Sequence, residues 1–411
     1  METPRRPLRP AVRFPHTGGY TAWVPTLRDI RTPALVLERG IVARNTAAMA
    51  ARMLRHGVAL RPHVKTAKCP QVAGLATAGQ FGGITVSTLA EAAYFAGHGF
   101  RDLTYAVGIV PSKLDPVAEL QRDGTRVQLL IDDAGVVREI AARARARGAV
   151  FHVFVEVDTG GHRGGVGPDS AALIEIARAV HESSHLRLAG VLTHAGQSYA
   201  CASVAAVREV AEAERAGVVR AAERLRAAGL PCSIVSAGST PTAVHAASLA
   251  GVTEMRPGNY VFFDLAQVGL GSCAMEDVAV SVLASVIGCS RDANRLLVDA
   301  GSLALSADTS ANAHLPGVGH GVVCDLQGRP LGGAMLVRGA PFTAGARVAR
   351  VHQEHGFVES ASPLSFAALP VGARVRILPN HACITAAMFD AYHVVDGSDE
   401  IIALWPRSRG W

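Results

Sequence analysis

The segment LRLAGVLTHAGQSYACASVAAVREVAEAERAGVVRAAERLRAAGLPCSIVSAG, residues 186–238, decides the fold. It begins with an apolar run (186–194) and ends with a second one (233–238), both rich in residues that favour strands. Between them, VREVAEAERAGVVRAAERLRAAG (207–229) has the spacing of an amphipathic helix. A strand, a helix and a second strand in this order predict two parallel strands joined by a crossover helix.

The same alternation extends from about residue 33 to residue 260. Eight strand–helix units in about 230 residues match a (β/α)8 barrel, the TIM barrel, in number and length. An open, doubly wound sheet remains an alternative, because periodicity does not show closure. The other predicted strands are ALVLE (34–38), VALRPHV (58–64), GITVS (83–87), LTYAV (103–107), VQLLID (127–132) and FHVFVEVD (151–158).

After Asp264 the pattern changes to short strands separated by turn residues, with hardly any helix. A chain of 411 residues exceeds one ordinary core, so two domains are expected. We predict a barrel domain over 31–265 and a second, β-rich domain over 266–411. Residues 1–30 contain several prolines and are predicted either to form an arm or to join the β domain.

Composition excludes several classes of protein. The net charge is +6, but the arginines are dispersed and no basic run is interleaved with aromatic residues, so nucleic acid is not an expected partner. Seven scattered cysteines without a CxxC pair argue against a disulfide framework or a zinc finger. No apolar run approaches the roughly 20 residues of a membrane span. The basic N-terminus leads into no apolar segment, so a signal peptide is not expected and a cytoplasmic protein is predicted.

Lysine is scarce. Only three of the 40 basic residues are lysine, and RPHVKTAKCP (61–70) contains two of them, Lys65 and Lys68. Arginine serves wherever charge alone is needed, but its guanidinium cannot act as a nucleophilic amine. A retained lysine is therefore a candidate for Schiff-base chemistry. Lys65 ends the second predicted strand, where barrel enzymes carry their chemistry, whereas chance survival on the surface suits Lys68 and Lys113.

Polar residues also follow the later predicted strands. The segment AGSTPT (237–242) puts small and hydroxyl residues at a helix start, where backbone N–H groups and the helix dipole bind phosphate. Gly258 and Asn259 offer further main-chain donors. An ordinary helix cap would explain the hydroxyls equally well. A phosphate site and a lone lysine at one barrel mouth together suggest pyridoxal phosphate.

The segment PNHACITAAMFD (379–390) contains a candidate metal pair. On an extended segment His381 and Cys383 share one face. Imidazole and thiolate suit a divalent metal, zinc first and manganese as an alternative, and two protein ligands leave positions open for water and substrate. A buried histidine beside an inert cysteine is the competing interpretation.

Seven segments resemble one known family. They are similar to segments of the D-serine dehydratase and D-threonine aldolase group, fold-type III pyridoxal phosphate enzymes related to alanine racemase. The similarity runs from about residue 30 to near the C-terminus, and its most specific parts are the PHxKT lysine motif and the late HxC. The segments are RPHVKTAKCP, TVSTLAEAAYFA, YAVGIVPSKL, DTGGHRGGV, THAGQSY, RPGNYVFFD and PNHAC.

The resemblance implies a role for each matching residue. Lys65 would carry the cofactor as a Schiff base, and His381 with Cys383 would bind the metal. The implied cofactor contacts are Thr240, Gly258 and Asn259 at the phosphate, Tyr199 and His194 along the ring, and Arg163 near the phenolic oxygen. Residues that recur in the group and could border the site are Ser306, Asp308, Glu354 and His355. Two departures, KTAK for the commoner KTHK and Leu192 for a frequent tyrosine, bear on the substrate.

The family also implies the reaction and the assembly. The leading hypothesis is β-elimination of water from a D-3-hydroxyamino acid, giving a 2-oxo acid and ammonia, with D-serine, D-threonine and 3-hydroxy-D-aspartate as candidate substrates. The alternative is D-threonine aldolase-type cleavage to glycine and an aldehyde; Cys383 favours the dehydratase, because the aldolases more often have aspartate there. A non-catalytic binding protein fits less well, since such proteins usually lack the β domain, and a racemase would not need the metal pair. A homodimer with a shared active site is implied.

Overall fold

Seventeen strands form two sheets within the described part of the chain, residues 24–333, 342 and 345–411 of a computed structural model. The strands are β1 (Ala34–Glu38), β2 (Ala59–Leu60), β3 (Ile84–Val86), β4 (Asp102–Gly108), β5 (Arg126–Ile131), β6 (Phe151–Glu156), β7 (Leu186–Leu192), β8 (Ile234–Ala237), β9 (Glu254–Met255), β10 (Val280–Ser290), β11 (Arg295–Val298), β12 (Gly321–Cys324), β13 (Ala346–Val351), β14 (Gly356–Ser360), β15 (Arg374–Pro379), β16 (Ala391–Val395) and β17 (Ala403–Pro406).

Eleven α-helices occur in the same described residues. They are α1 (Arg39–Arg55), α2 (Pro70–Thr77), α3 (Leu89–Gly97), α4 (Leu114–Arg122), α5 (Ala134–Ala146), α6 (Ala171–Glu182), α7 (Val204–Ala227), α8 (Thr240–His245), α9 (Leu265–Leu270), α10 (Ser302–Leu305) and α11 (Ala382–Ala387). No helix of the described residues is long and apolar enough to cross a membrane.

The first sheet is parallel and has the strand order β2-β9-β8-β7-β6-β5-β4-β3. It is curled, and its two edges approach each other at a parallel bridge between His63 and Thr85. Helix α7 shows why the sequence folds in this way: its buried residues include Val207, Ala211, Val218 and Leu225, which lie on one face at helical spacing. The predicted succession of parallel βα units is confirmed.

Two strand assignments made from the sequence were wrong. The segment predicted as the first barrel strand is β1, which pairs antiparallel with β10 and parallel with β16 in the second sheet. The eighth parallel strand is β9, only two residues long, which pairs with β2 and β8. All five residues of β1 are buried, so its apolar pattern fits either sheet equally well. A two-residue strand leaves no periodic signal.

The second sheet forms the predicted β-rich domain, with the order β11-β14-β13-β12-β15-β10-β1-β16-β17. An additional pairing between β10 and β11 closes six of these strands into a barrel. Of the predicted N-terminal arm, residues 1–23 lie outside the described residues. The rest of the arm contacts this domain through a bridge from Thr26 to Glu400 and through Leu27, which is fully buried beside Val395.

The two domains share one apolar core. A single cluster of buried side chains includes Leu129 of the parallel sheet, Tyr260 of the connecting segment, and Ile377 and Tyr392 of the β domain. Since buried apolar area is the main favourable term in folding, this shared cluster fixes the position of one domain against the other. The carboxyl end of β2 and the start of α11 are thereby held together.

Candidate active site

A cavity of about 410 Å³ opens at the carboxyl ends of the parallel strands. It contains Lys65 together with other charged and polar groups that the sequence analysis had partly missed. A larger groove of about 770 Å³ near the starts of β5 and β6 contains none of the predicted site residues, so it is not the candidate site. The polar side chains that line the smaller cavity are His63, Lys65, Ser87, Asp132, Glu156, Arg163, His194 and Arg256.

Lys65 is the lysine that reaches the cavity. Strand β2 ends at Leu60, and the following loop carries the Lys65 side chain, which is exposed, to the cavity wall. Lys68, in contrast, forms an ion pair with the buried carboxylate of Glu91 at 3.0 Å. The geometry thus gives the two lysines different surroundings, in agreement with the preference for Lys65 in the sequence analysis.

Two histidines face Lys65. Burial lowers the pKa of His194 to about 3, and the nearby Lys65 ammonium adds to the shift. Burial and the same ammonium hold the pKa of His63 well below its ordinary value. The His194 Nδ1 atom lies 3.0 Å from the Gly238 carbonyl oxygen, so that nitrogen carries the proton. His63 was not predicted as a site residue, although it stands only two positions before Lys65.

Arg163 shares the cavity lining with two acidic side chains that the sequence analysis missed. Burial raises the pKa of Glu156, while the Arg163 cation opposes that shift. The Asp132 carboxylate accepts a hydrogen bond of 2.9 Å from the Gly165 N–H and so holds the loop that carries Arg163. Asp132 ends one predicted strand and Glu156 lies two positions before the end of another, and these positions were the signal available in the sequence.

The predicted phosphate residues come together at the start of α8. Thr240 is fully buried, its N–H points to the Tyr199 hydroxyl at 3.4 Å, and its own hydroxyl accepts from the Tyr260 N–H at 3.2 Å. Gly258 lies so close to His63 that an added Cβ would be 2.9 Å from the His63 carbonyl oxygen. The Asn259 amide nitrogen donates to Asp264 at 2.6 Å.

The candidate metal pair lies next to the lysine loop. The segment is extended only up to His381; Cys383 is the second residue of α11, a correction to the predicted extended segment. The two side chains nevertheless interact. Burial alone would lower the pKa of His381, but hydrogen bonds to Asp308 and Cys383 outweigh it and raise that pKa to about 11. The Cys383 thiol lies 3.2 Å from the Thr66 hydroxyl.

The thiolate character of Cys383 suits a metal ligand, whereas His381 must give up a proton before it can bind a metal. Burial opposes ionisation of Cys383, yet the hydrogen bond from His381 outweighs it and lowers the thiol pKa. Asp308 accepts from the His381 Nδ1 atom at 3.2 Å, so this predicted border residue does reach the site. Glu354 and His355 are exposed on the turn between β13 and β14, and Ser306 is a buried turn residue with a φ of 68°. Within the described residues no three or more His, Cys, Asp or Glu side chains are grouped to hold a metal.

Comparison with known proteins decides the family. Residues 39–266 match the model of the alanine racemase N-terminal domain, and residues 279–395 match the model of a putative serine dehydratase domain. A D-threo-3-hydroxyaspartate dehydratase from Delftia sp. (strain HT23) is 46% identical over 94% of this chain and 99% of its own. The chain belongs to the D-serine dehydratase and D-threonine aldolase family. These are fold-type III, pyridoxal phosphate-dependent lyases, as the motifs had indicated.

Other relatives of this family cover most of the chain. A D-serine dehydratase from Dictyostelium discoideum is 31% identical over 94% of this chain and 98% of its own. A D-threonine aldolase from Arthrobacter sp. is 31% identical over 92% of both chains. The solved structure of the Delftia enzyme superposes with a TM-score of 0.87, at 45% identity, over 94% of this chain and 100% of that one. Pyridoxal phosphate is therefore the expected cofactor.

Proposed function

We propose that this chain is a pyridoxal phosphate- and metal-dependent dehydratase that eliminates water from a D-3-hydroxyamino acid, releasing a 2-oxo acid and ammonia. The observation that carries the proposal is the 3.2 Å contact between Thr66 and Cys383, which brings the metal pair against the loop of Lys65. The 46% identical relative named as a dehydratase supports it. We assign the site to the mouth of a complete (β/α)8 barrel formed by strands β2 to β9, closed on one side by the domain over 266–411.

The residues present fit the cofactor. Lys65 supplies the one amine in the cavity lining. The start of α8 supplies hydroxyl and backbone donors, and the 3.4 Å bond between Thr240 and Tyr199 is weak enough for a phosphate oxygen to replace. Gly258 leaves no room for a Cβ, as expected where backbone closes around a ligand. We therefore propose that Thr240, Gly258 and Asn259 hold the phosphate and that His194 and Tyr199 contact the ring.

The chemistry then follows from the chain's own groups. Bound pyridoxal phosphate serves as the electron sink that makes the Cα proton of an amino acid acidic. The Lys65 amine removes that proton, because it is the basic group the cavity presents. His63 and His194 are neutral at physiological pH, so they add hydrogen bonds and no charge. Arg163 supplies the cation that binds an anionic oxygen, and Asp132 fixes its loop.

The residues also fit a metal ion. A thiolate and an imidazole suit zinc better than manganese, which prefers oxygen ligands. Asp308 takes the His381 Nδ1 atom and leaves Nε2 for the metal, as carboxylate–histidine–metal arrangements require. Two solved structures described as D-threo-3-hydroxyaspartate dehydratase carry alanine for a histidine and for a cysteine two positions later, and the second is described as metal-free. A Lewis acid here would assist departure of the β-hydroxyl group.

One assay tests the reaction. The protein, supplied with cofactor and zinc, is incubated with D-serine, D-threonine and D-threo-3-hydroxyaspartate, with and without a chelator. D-threonine is the informative substrate: 2-oxobutyrate and ammonia demonstrate dehydration, whereas glycine and acetaldehyde demonstrate the aldolase reaction, which the 31% identical D-threonine aldolase keeps as the second candidate. If none of the three substrates gives elimination or cleavage products, both the dehydratase and the aldolase reactions are refuted. Chelation should abolish turnover and zinc should restore it.

We further propose that the enzyme is a homodimer whose second subunit completes the active site. Large apolar side chains remain exposed on segments that carry site residues: Tyr199 is 38% exposed, Ile384 45% and Met388 50%. Apolar surface next to a polar cavity commonly marks a protein interface.

A further inference from the structure

Arg407, close to the C-terminus, is buried in the seam between the two domains. It is 7% exposed and directly follows β17. Residues 396–411 lie beyond the segment that matches the serine dehydratase domain, 279–395, so the family match gives this residue no role. A buried guanidinium is costly unless its donors are satisfied, which makes its partners informative.

The guanidinium of Arg407 binds main-chain oxygens on two separate active-site segments. Its Nε donates to the Ala67 carbonyl oxygen at 3.1 Å, on the loop of Lys65. One terminal nitrogen donates to the carbonyl oxygens of Ala386, in the last turn of α11, and of Phe389, at 2.9 Å for the latter. A cation at a helix C-terminus meets unpaired carbonyl groups and the negative end of the dipole.

Two neighbouring groups reinforce the link to the lysine loop. The Tyr392 hydroxyl donates to the Ala67 carbonyl oxygen at 2.7 Å and accepts from the Arg407 Nε atom at 2.8 Å. The next residue, Ser408, donates its N–H to the Lys68 carbonyl oxygen at 2.8 Å. Arg407 and Ser408 therefore bind the carbonyl oxygens of the two residues that follow Thr66, Ala67 and Lys68.

We propose that Arg407 is a positioning residue of the dehydratase reaction, which holds the loop of Lys65 at a set distance from the helix of Cys383. Thr66 and Cys383 touch at 3.2 Å. Arg407 binds the next residue of the loop, Ala67, and also Ala386, which lies three residues after Cys383 in α11. A guanidinium is planar and rigid, so it fixes two acceptors in one geometry. The inference rests on the proposed function, because it concerns the spacing between the proposed amine and the proposed metal pair.

The test compares Arg407→Lys and Tyr392→Phe with the parent enzyme. Lysine keeps the charge but, as a single-point donor on a flexible stem, cannot hold both segments in one plane. Because small misplacements of reacting groups cost up to about 100-fold in rate, we expect kcat to fall about 10- to 100-fold in Arg407→Lys, with KM within about threefold. Affinity for Co²⁺, read from its thiolate charge-transfer band, should fall about tenfold, while the absorbance of bound cofactor stays. Tyr392→Phe should show smaller losses of the same kind.

The control is Arg409→Ala, two residues further along, whose guanidinium pairs with Asp390 on the surface. It should match the parent in every measurement. The proposal is overturned if Arg407→Lys retains parental kcat and Co²⁺ affinity. It is also overturned if Arg407→Lys loses its bound cofactor and folded structure together with activity while Tyr392→Phe matches the parent, because Arg407 would then serve folding alone.

The same measurements separate this inference from the proposed function. If the parent enzyme releases no product from any D-3-hydroxyamino acid, the proposed function fails, and the Co²⁺ titrations of the parent and Arg407→Lys still decide the positioning role. If the parent turns over but binds no metal, the ratio of kcat values decides it.

Discussion

Lys65, Lys68 and Lys113 carry the same amine, and their surroundings give them different roles. Lys65 lines the cavity, and its positive charge contributes to the low pKa values of His63 and His194. Lys68 neutralises the buried Glu91. Lys113 ends a short 3₁₀ turn before α4, away from the cavity lining. Only the first has the position of a reactive amine.

Replacing Lys65 with alanine should abolish catalysis, because it removes both the covalent anchor of the cofactor and the base for the Cα proton. We expect the visible absorbance band of bound cofactor to disappear and kcat to fall at least about 10³-fold. Spectra and product assays of the purified variant check this. Lys113→Ala is the matched control and should equal the parent, whereas an unchanged band in Lys65→Ala would refute the assignment.

Replacing Cys383 with alanine should separate cofactor binding from β-elimination. The cofactor band should remain, since Lys65 is untouched, but β-elimination should fall about 100-fold or more once the thiolate ligand is lost. Metal content by mass spectrometry should fall with activity. Cys289→Ala, at an exposed free cysteine, is the control. Full activity without bound metal in Cys383→Ala would contradict the metal role.

Acid should destabilise the cofactor-free protein through His194. Its pKa is about 3 in the folded protein and about 6.5 when unfolded, so the unfolded chain binds the extra proton between these values. The free energy of unfolding should therefore decrease as the pH falls from 6.5 toward 3. Urea unfolding at pH 7, 6 and 5 measures this slope. It should be smaller in His194→Gln, and equal slopes in both proteins would show that His194 titrates normally.

At the scale of elements, strand pairing decided to which sheet β1 belongs, a question that its composition left open. The buried run of β1 could satisfy either sheet, and its partners β10 and β16 place it in the β domain. The predicted second strand, 58–64, shrinks to Ala59–Leu60, and the residues after Leu60 form the loop that carries Lys65. The sequence thus predicted that Lys65 reaches the carboxyl ends of the parallel strands, although Lys65 lies on the loop after β2 and not at the strand end.

A substitution at Gly258 tests how closely the loop of Gly258 packs against the loop of His63. The φ angle of Gly258 lies outside the left-handed region, so glycine is required here for lack of space and not for backbone conformation. An alanine Cβ would lie 2.9 Å from the His63 carbonyl oxygen, a main-chain atom that cannot rotate away. Gly258→Ala should cost about 1–3 kcal/mol of unfolding free energy and weaken cofactor binding about tenfold. Urea unfolding and cofactor titration check both effects.

The matched control for this substitution is Gly74→Ala. Gly74 lies inside α2 with open space around its Cα, so alanine there should leave cofactor binding unchanged and stabilise the protein by about 0.5–1 kcal/mol. Equal behaviour of the two variants would show that Gly258 is not required by close contact.

At the scale of the molecule, the site is assembled from both domains. Lys65 comes from the parallel sheet, whereas His381 and Cys383 come from the segment between β15 and β16. The shared apolar cluster and the buried Arg407 hold these parts together. We expect the two domains to unfold in one transition, because the core is continuous across the seam.

The proposed homodimer can be tested at an exposed apolar position. Met388, 50% exposed and next to the last residue of α11, should be buried by the second subunit. Met388→Asp should then give a monomer with at least about tenfold lower activity, since a charge buried in an apolar interface is costly. Light scattering after size-exclusion chromatography measures the mass. Leu54→Asp, at an 80% exposed residue of α1, is the control and should remain dimeric.

The amino-acid sequence by itself determined that parallel βα units precede a β-rich part, and it singled out Lys65 and the late His381–Cys383 pair as candidate site residues. Periodicity, strand ends and residue chemistry are local properties, so they can be read along the chain. Only the tertiary structure decided that β1 belongs to the second sheet and that Glu156 and Asp132 line the cavity with Arg163. It also decided that Asp308 contacts His381 and that Arg407 joins the loop of Lys65 to α11. These features depend on contacts between residues far apart in the chain, and such contacts exist only once hydrophobic burial and strand pairing have brought the domains together.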